Sequence, residues 1–440
     1  MIAVVIVPHT ARGAAGKRYE RGLTGEAGHG VPGVLLPSQT RNRDLINPLW
    51  QTRKAAGVHP VFREYPWHRR LGTMSDSGEK LENSTDAASL KRAELKSQEI
   101  EAAIDKDPSK FRVLTGDRPT GALHLGHYFG TIKNRVEIQK RGVETWILIA
   151  DYQVITDREG TGPIRERVLN MLADYIACGL DPEKTTIFAH SAVPAANQLM
   201  LPFLSLVTEA ELHRNPTVKA ELEASERPMS GLLLTYPVHQ AADILFCKAN
   251  LVPVGKDQLP HLEQARVISD RFERVFRRKS SLEHRVFPRP EGLLSGDGAL
   301  ILGLDGEKMS KSRGNTVELG MTSDETAKLI KRAKTDAQRQ ITYDPENRPE
   351  VSNLLRLAGL ASGQDPRALA EEIGDQGAGK LKQVLTEALD SALSPIRARR
   401  AELLADPGYL WQVLERGNQR ANEVANQTLA EVRQAMNMVY

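Results

Sequence analysis

Arg112-Val113-Leu114-Thr115-Gly116 reads as a short buried strand ending in a glycine turn. His124-Leu125-Gly126-His127 then puts two imidazoles and a glycine where the chain turns into a helix. The next apolar run, Trp146-Ile147-Leu148-Ile149 within Glu144 to Ala150, is continuous, as suits a central parallel strand. Pro163 to Ala177 has a helical period and Thr186 to Ala189 is another short strand. Tyr236 to Phe246 and Leu251 to Val254 return to the same pattern. This alternation predicts an α/β fold, a doubly wound Rossmann-like domain with a parallel sheet. Beyond Thr322 strand signals vanish. Helical windows fill Ser323 to Val439, with Pro349, Pro366, Pro395 and Pro407 as punctuation, so the last third is expected to be an all-helical domain.

A second phrase, Lys308-Met309-Ser310-Lys311-Ser312, lies far downstream, with Gly303, Gly306 and Gly314 around it. Two lysines and two hydroxyls on a glycine-flanked loop suit a moving element that neutralises phosphates as point charges. The first phrase supplies a helix N-terminus, where unpaired N–H groups favour anions. Gly126 lets backbone approach a nucleotide, and His124 and His127, three residues apart, share a helical face and can both donate to phosphate. Together the phrases form a kit for holding a nucleoside triphosphate while its α-phosphate is attacked.

In this order the two phrases resemble the signature motifs of class I aminoacyl-tRNA synthetases. The surrounding sequence is similar to the tryptophanyl members of that class. Thr115-Gly116-Asp117-Arg118-Pro119-Thr120-Gly121 resembles their opening strand and turn, and Leu234-Thr235-Tyr236-Pro237 with Gln240-Ala241-Ala242-Asp243-Ile244-Leu245 resembles their amino-acid pocket. Val252-Pro253-Val254-Gly255-Lys256-Asp257-Gln258 resembles their nucleotide strand and turn, and Ser352-Asn353-Leu354-Leu355 a helix start in their C-terminal domain. The resemblance runs from about Arg112 to the C-terminus.

What it implies can be stated residue by residue. His124, His127, Lys308 and Lys311 would carry catalysis, with Met309, Ser310 and Ser312 completing the ATP loop. Arg118, Pro119, Thr120 and Gly126 would sit beside the nucleotide, and Gly255, Lys256 and Asp257 near its ribose. Asp243 would accept from the indole N–H, which is a donor only. Tyr236, Gln240, Val252, Val254 and Gln153 would line the rest of the tryptophan pocket. ATP is the expected co-substrate, with Mg2+ held by its phosphates and no protein metal ligand. L-tryptophan and its tRNA are the expected partners, in a homodimer. The domains expected are a charged, partly helical leader over 74–107, a catalytic domain over 108–321 with a dimerising insertion at about 157–231, and a helical anticodon-binding domain over 322–440.

The sequence departs from the family in three places. Gln153 stands where many bacterial members have His, Gln240 where Met is frequent, and Asp117-Arg118 where many have an apolar residue and Gln. These place the chain in a divergent or auxiliary branch. The departures at Gln153 and Arg118 also keep a regulatory paralogue open. An adenylyltransferase of the same superfamily would share His124 to His127 without needing the helical last third. Tyrosine is a third option, against which the Ala241-Ala242-Asp243 pocket and Gln258-Leu259-Pro260-His261 speak.

Charge divides the chain. Residues 1–73 carry eleven Lys and Arg against four Asp and Glu, within a total of +3, so the remainder is slightly acidic at −4. Any nucleic-acid contact must come from local patches such as Arg277-Arg278-Lys279 or Arg397, Arg399 and Arg400. The first 73 residues show no sustained period; they read either as an upstream extension before a start at Met74 or as a disordered basic arm. With two cysteines, no CxxC pair and no apolar run near the ~20 residues of a bilayer span, a reduced cytoplasmic compartment and no membrane contact are expected.

Overall fold

The computed structural model describes residues 77–440 apart from 157–159, 225–227, 256–257, 295–300 and 310–312; side chains are described from residue 91, except at 224. Expectations for residues 1–73 and for Lys256, Asp257, Ser310, Lys311 and Ser312 lie outside the described residues.

Five strands form one sheet: β1 (Arg112–Asp117), β2 (Glu144–Ile149), β3 (Thr185–Ala189), β4 (Leu251–Val254) and β5 (Glu291–Leu294). Their order is β3-β2-β1-β4-β5 and every pairing is parallel. The apolar run of β2 explains its place near the centre. Trp146, Ile147, Leu148 and Ile149 are all buried, because helices cover both faces. The direction of winding reverses between β1 and β4, the crevice where a sheet of this kind binds ligands at its strand ends.

Gly116 corrects the expected turn. The strand runs on to Asp117, and Gly116 lies inside it, where a Cβ would come within 2.2 Å of the Leu148 carbonyl oxygen of β2. Close strand packing, not chain reversal, requires this glycine.

The charged leader is the helix Ser77–Lys106. Its thin apolar face is real: Ile100 and Ile104 are buried against Val113, Ile138, Val143, Leu251 and Leu293. The expected insertion is only partly separate. Helix Ile164–Ala177 and β3 fall inside residues 157–231, yet they form the crossover and edge strand of the sheet. The chain outside the sheet therefore begins after β3.

Five longer helices fill the C-terminal third: Ser323–Lys331, Pro349–Ser362, Pro366–Ile373, Gly377–Ala405 and Pro407–Ala435. Pro349, Pro366 and Pro407 occupy first turns, where a missing N–H costs nothing. Pro395 does not start a helix as expected; it lies within Gly377–Ala405. Leu381, Leu385, Leu389, Leu393 and Ile396 form a continuous buried stripe through it, and their packing outweighs the roughly 3 kcal/mol an internal proline costs. These helices share a core with the sheet, since Leu385, Leu393 and Leu410 belong to one buried cluster with Ile147 and Leu172.

Helix Pro407–Ala435 closes the open edge of the sheet. A Cβ at Gly417 would meet the Ile187 carbonyl oxygen at 1.8 Å, so only glycine lets the helix lie against β3. Asn418 Oδ1 accepts the edge N–H of Ala189 at 2.9 Å. Two of the expected basic surface residues turn inward. Arg397 bonds Asp390 and Thr326, and Arg400 Nε donates to the buried Asp174 at 2.6 Å. Arg399 alone of the three remains exposed. Among the described residues no helix is long and apolar enough to cross a membrane.

Candidate active site

The two signature phrases meet. Met309, 3% exposed, packs on the first phrase, and a Cβ at Gly126 would come within 3.1 Å of its sulfur. The segments are also zipped by backbone: Leu125 N–H donates to Val317 O at 3.0 Å and Leu319 N–H to Leu123 O at 2.9 Å. Gly306 and Gly314 take positive φ values of 81° and 62°, which accounts for glycine at the two turns of the loop. Asn353 anchors its base by donating to the carbonyls of Leu302 and Gly303, which gives the Ser352-Asn353-Leu354-Leu355 segment a physical role.

His124 is not on the helix but caps it. Its Nδ1 accepts from Gly126 N–H at 3.1 Å, while its own N–H donates to His127 Nδ1 at 3.2 Å. The rings lie 3.9 Å apart. Because both Nδ1 atoms accept, a neutral ring carries its proton on Nε2. The same bonds that start the helix therefore fix Nε2–H as the donor on each imidazole.

Asp117, which departs from the family pattern, is the anchor of this end of the cleft. It is buried at the close of β1, paired with Arg135 at 2.5 and 3.2 Å and accepting from Tyr175 OH at 2.6 Å. Burial pushes its carboxyl up, but Arg135 outweighs this and, with His127, holds it below the usual range. Arg118 and Pro119 follow it, both buried, and Thr120 N–H closes the turn on Arg118 O at 2.7 Å. Arg118 Nη1 lies 3.5 Å from Gln153 O, which joins the turn expected beside the nucleotide to a residue expected in the amino-acid pocket.

The residues expected to line the amino-acid pocket sit on three elements. Tyr236, Gln240 and Asp243 lie buried on helix Gly231–Phe246, and Val252 and Val254 on β4. Gly255 follows β4 and is exposed. Tyr236 OH lies 3.1 Å from His261 Nε2. Gln153 is buried; its Oε1 accepts from Thr156 and its Nε2 lies 2.9 Å from His239 Nδ1.

Two further histidines, His239 and His190, join the pocket without belonging to any motif of the sequence. His190 Nε2 lies 2.8 Å from Asp243 Oδ1, close enough for charge attraction but not aligned as a hydrogen bond. Its ring stacks on His239 at 4.1 Å with 24° between planes. His239 Nε2 in turn lies 2.7 Å from Asn197 Oδ1. Burial pushes the His190 imidazole down, but Asp243, and then Asp151, raise it above the ordinary histidine value. Burial takes His239 down to about 4. Each carries one signal in the sequence. His190 directly follows a strand, and His239 precedes Asp243 by one helical turn.

His190, His239 and Asp243 have the composition of a cation site, their ligand atoms lying within 4.8 Å of one another. The geometry disfavours one. Stacked rings keep their in-plane lone pairs in nearly parallel planes, and both His239 nitrogens are already engaged.

Comparison with known proteins agrees with this arrangement. Residues 106–394 match the family model described as tRNA synthetases class I (W and Y). The chain is 40% identical to a tryptophan–tRNA ligase of Streptococcus pyogenes over 74% of its own length and 98% of the relative's. It is 39% identical to one from Clostridium longisporum, over 74% and 97%. Among solved structures, tryptophanyl-tRNA synthetase from Campylobacter jejuni complexed with ADP and tryptophan superposes with a TM-score of 0.64 at 29% identity, covering 74% of this chain and 99% of that one. With its signature phrases in contact at the strand ends of a parallel sheet, the chain belongs to the class I tRNA synthetases of the tryptophan and tyrosine group.

Proposed function

We infer that this chain activates tryptophan with ATP and then transfers it to tRNA. The observation that carries this reading is the packing of Met309 on Gly126, which brings the two phosphate-handling phrases to one place beside the β1–β4 crevice. Identity of about 40% to tryptophan–tRNA ligases along nearly their whole length supports the choice of amino acid.

In the first step a carboxylate oxygen of tryptophan attacks the α-phosphorus, the bond to the β-phosphate oxygen breaks, and pyrophosphate leaves. Negative charge grows on phosphoryl oxygens, so the protein's task is to aim donors at them. We assign the Nε2–H groups of His124 and His127 to that task, with Lys308 and Lys311 on the departing phosphates and Ser310 and Ser312 adding hydroxyl donors. Arg118, Pro119 and Thr120 flank the nucleotide, and Gly255, Lys256 and Asp257 its ribose. In the second step a hydroxyl of the terminal ribose of tRNA attacks the tryptophanyl carbonyl and AMP leaves. No covalent enzyme intermediate is needed, since positioning and charge stabilisation suffice.

Asp243 is the acceptor for the indole N–H. Its Oδ1 is buried and receives no aligned hydrogen bond from any described residue, which suits a substrate that brings a donor. Tyr236, Gln240, Val252, Val254 and Gln153 shape the remaining walls. Mg2+ takes oxygen ligands, so it would arrive on ATP, held by phosphate oxygens and water. The helical third is assigned to the tRNA anticodon, and the segment between β3 and Gly231 to contact within a homodimer. A cytoplasmic location fits the chemistry.

The test is ATP–pyrophosphate exchange with tryptophan, with tyrosine, and with no amino acid. Exchange with tryptophan alone is expected. Exchange with tyrosine would overturn the pocket assignment, and silence with every amino acid would move the weight to a regulatory role.

A further inference from the structure

We propose that His190 is a positioning residue for amino-acid recognition: it holds the Asp243 carboxylate against its Nε2 so that the acid faces the substrate ring N–H, and helix Pro407–Ala435 holds His190 in place. This rests on the reading of Asp243 as the indole acceptor.

The end of β3 and the turn after it are fixed on both sides of His190. Ala189 N–H donates to Asn418 Oδ1 at 2.9 Å, Ser191 N–H to Asp151 Oδ1 at 2.9 Å, and Ala192 O accepts from Asn422 Nδ2 at 2.7 Å. Ser191 Oγ also donates to Asp151 Oδ2. Between these anchors lies His190, 1% exposed. Its ring is confined between Tyr152 at 5.6 Å and His239 at 4.1 Å. His239 cannot turn without breaking contacts to both Gln153 and Asn197. An imidazole so confined has one polar neighbour that a substrate could also use, and that neighbour is Asp243 Oδ1.

The chemistry follows from the pairing. A buried carboxylate is costly without a cation or donors, and a free one would rotate toward whatever donor it could find. His190 supplies the compensating group and limits that rotation. The ionisable groups facing it are Asp243 and His239 from helix Gly231–Phe246, and Asp151 and Tyr152 from the segment after β2. The C-terminal helix contributes uncharged Asn418 and Asn422, which act on the turn backbone alone. A helix from the last third thus reaches the amino-acid pocket through the end of β3 and the turn after it.

The test uses the full chain and pyrophosphate exchange with tryptophan and with benzothienylalanine, the analogue in which sulfur replaces the ring N–H. His190→Ala is expected to raise the KM for tryptophan on the order of 10- to 100-fold. It should leave kcat within about twofold and shrink the preference for tryptophan over the analogue. His190→Gln keeps an N–H donor and should restore most of that preference. Asn418→Ala with Asn422→Ala should shift KM in the same direction by about two- to fivefold, and less than additively with His190→Ala. Unchanged KM and preference in His190→Ala would overturn the proposal; so would equal losses in kcat and KM with the preference intact, the mark of a merely structural role. Asp243→Ala separates the two levels. If it keeps the preference, the Asp243 reading fails and takes the proposal with it. If it loses the preference while His190→Ala does not, Asp243 stands and His190 falls.

Discussion

The two ends of the proposed site are built in opposite ways. The phosphate end joins two short phrases, and the first is local: His124 caps its own helix through Gly126, and His127 answers three residues later. The amino-acid end is assembled from a distance. Asp243 meets His190, His239 meets Gln153 across 86 residues, and the turn carrying His190 is held by Asn418 across 229. Chemistry that needs only backbone donors and point charges can be written in a short phrase. Chemistry that must tell one ring from another needs side chains brought in from several elements and tied to each other.

The contrast can be broken most severely at Asp117, which belongs to the phosphate end but is itself long-range. Asp117→Ala leaves Arg135 buried without its partner and should destabilise the fold by about 3–5 kcal/mol, read by urea denaturation. A loss under about 1 kcal/mol would show that the ion pair is relieved by water. Next in size, replacing both Lys308 and Lys311 by Ala should cut pyrophosphate exchange on the order of 100- to 1000-fold while leaving tryptophan affinity within about threefold. Equal damage to both would mean the two ends are not separable.

Acid should act on the amino-acid end. The folded pKa of His239 is depressed to about 4 from 6.5, so between those values the unfolded chain binds a proton that the folded chain refuses. Stability therefore falls as pH drops from about 6.5 to about 4, by roughly 3 kcal/mol at most. His190 has the opposite sign. Its folded pKa is raised, so its contribution is complete below 6.5 and is lost as pH climbs through the folded value. The pair predicts a stability maximum near pH 6.5, measured as denaturation midpoint against pH, and His239→Gln should flatten the acid limb alone. The smallest effect belongs to the surface: Arg399→Ala removes an exposed pair with Glu402 and should change stability by less than about 0.5 kcal/mol.

The same difference decides what is legible in the sequence. The central strands, the two phrases, the Asp243 segment and the helical last third are all legible, because each is a run of neighbours with its own period or spacing. Gly116 reads as a turn because nothing in its neighbours reveals that β2 passes within a Cβ of it. Pro395 reads as a boundary because a proline's local cost is visible and the leucine stripe that outweighs it is not obvious from one window. Arg397 and Arg400 look like a surface cluster; Thr326 and Asp174, their partners on other helices, are set by how helices pack. His190 and His239 escape for the same reason: each is unremarkable until the other is placed on it.

The sealing of β3 by helix Pro407–Ala435 has a consequence in time. Ala189 and the asparagine that accepts its N–H are 229 residues apart in the chain. At the ~5–20 residues per second of synthesis, a nascent chain carries that sheet edge open for roughly 10 to 45 seconds before its cover leaves the ribosome. For that interval the strand is a template for any other strand, and the yield of active protein should depend on what shields it until the last helix arrives.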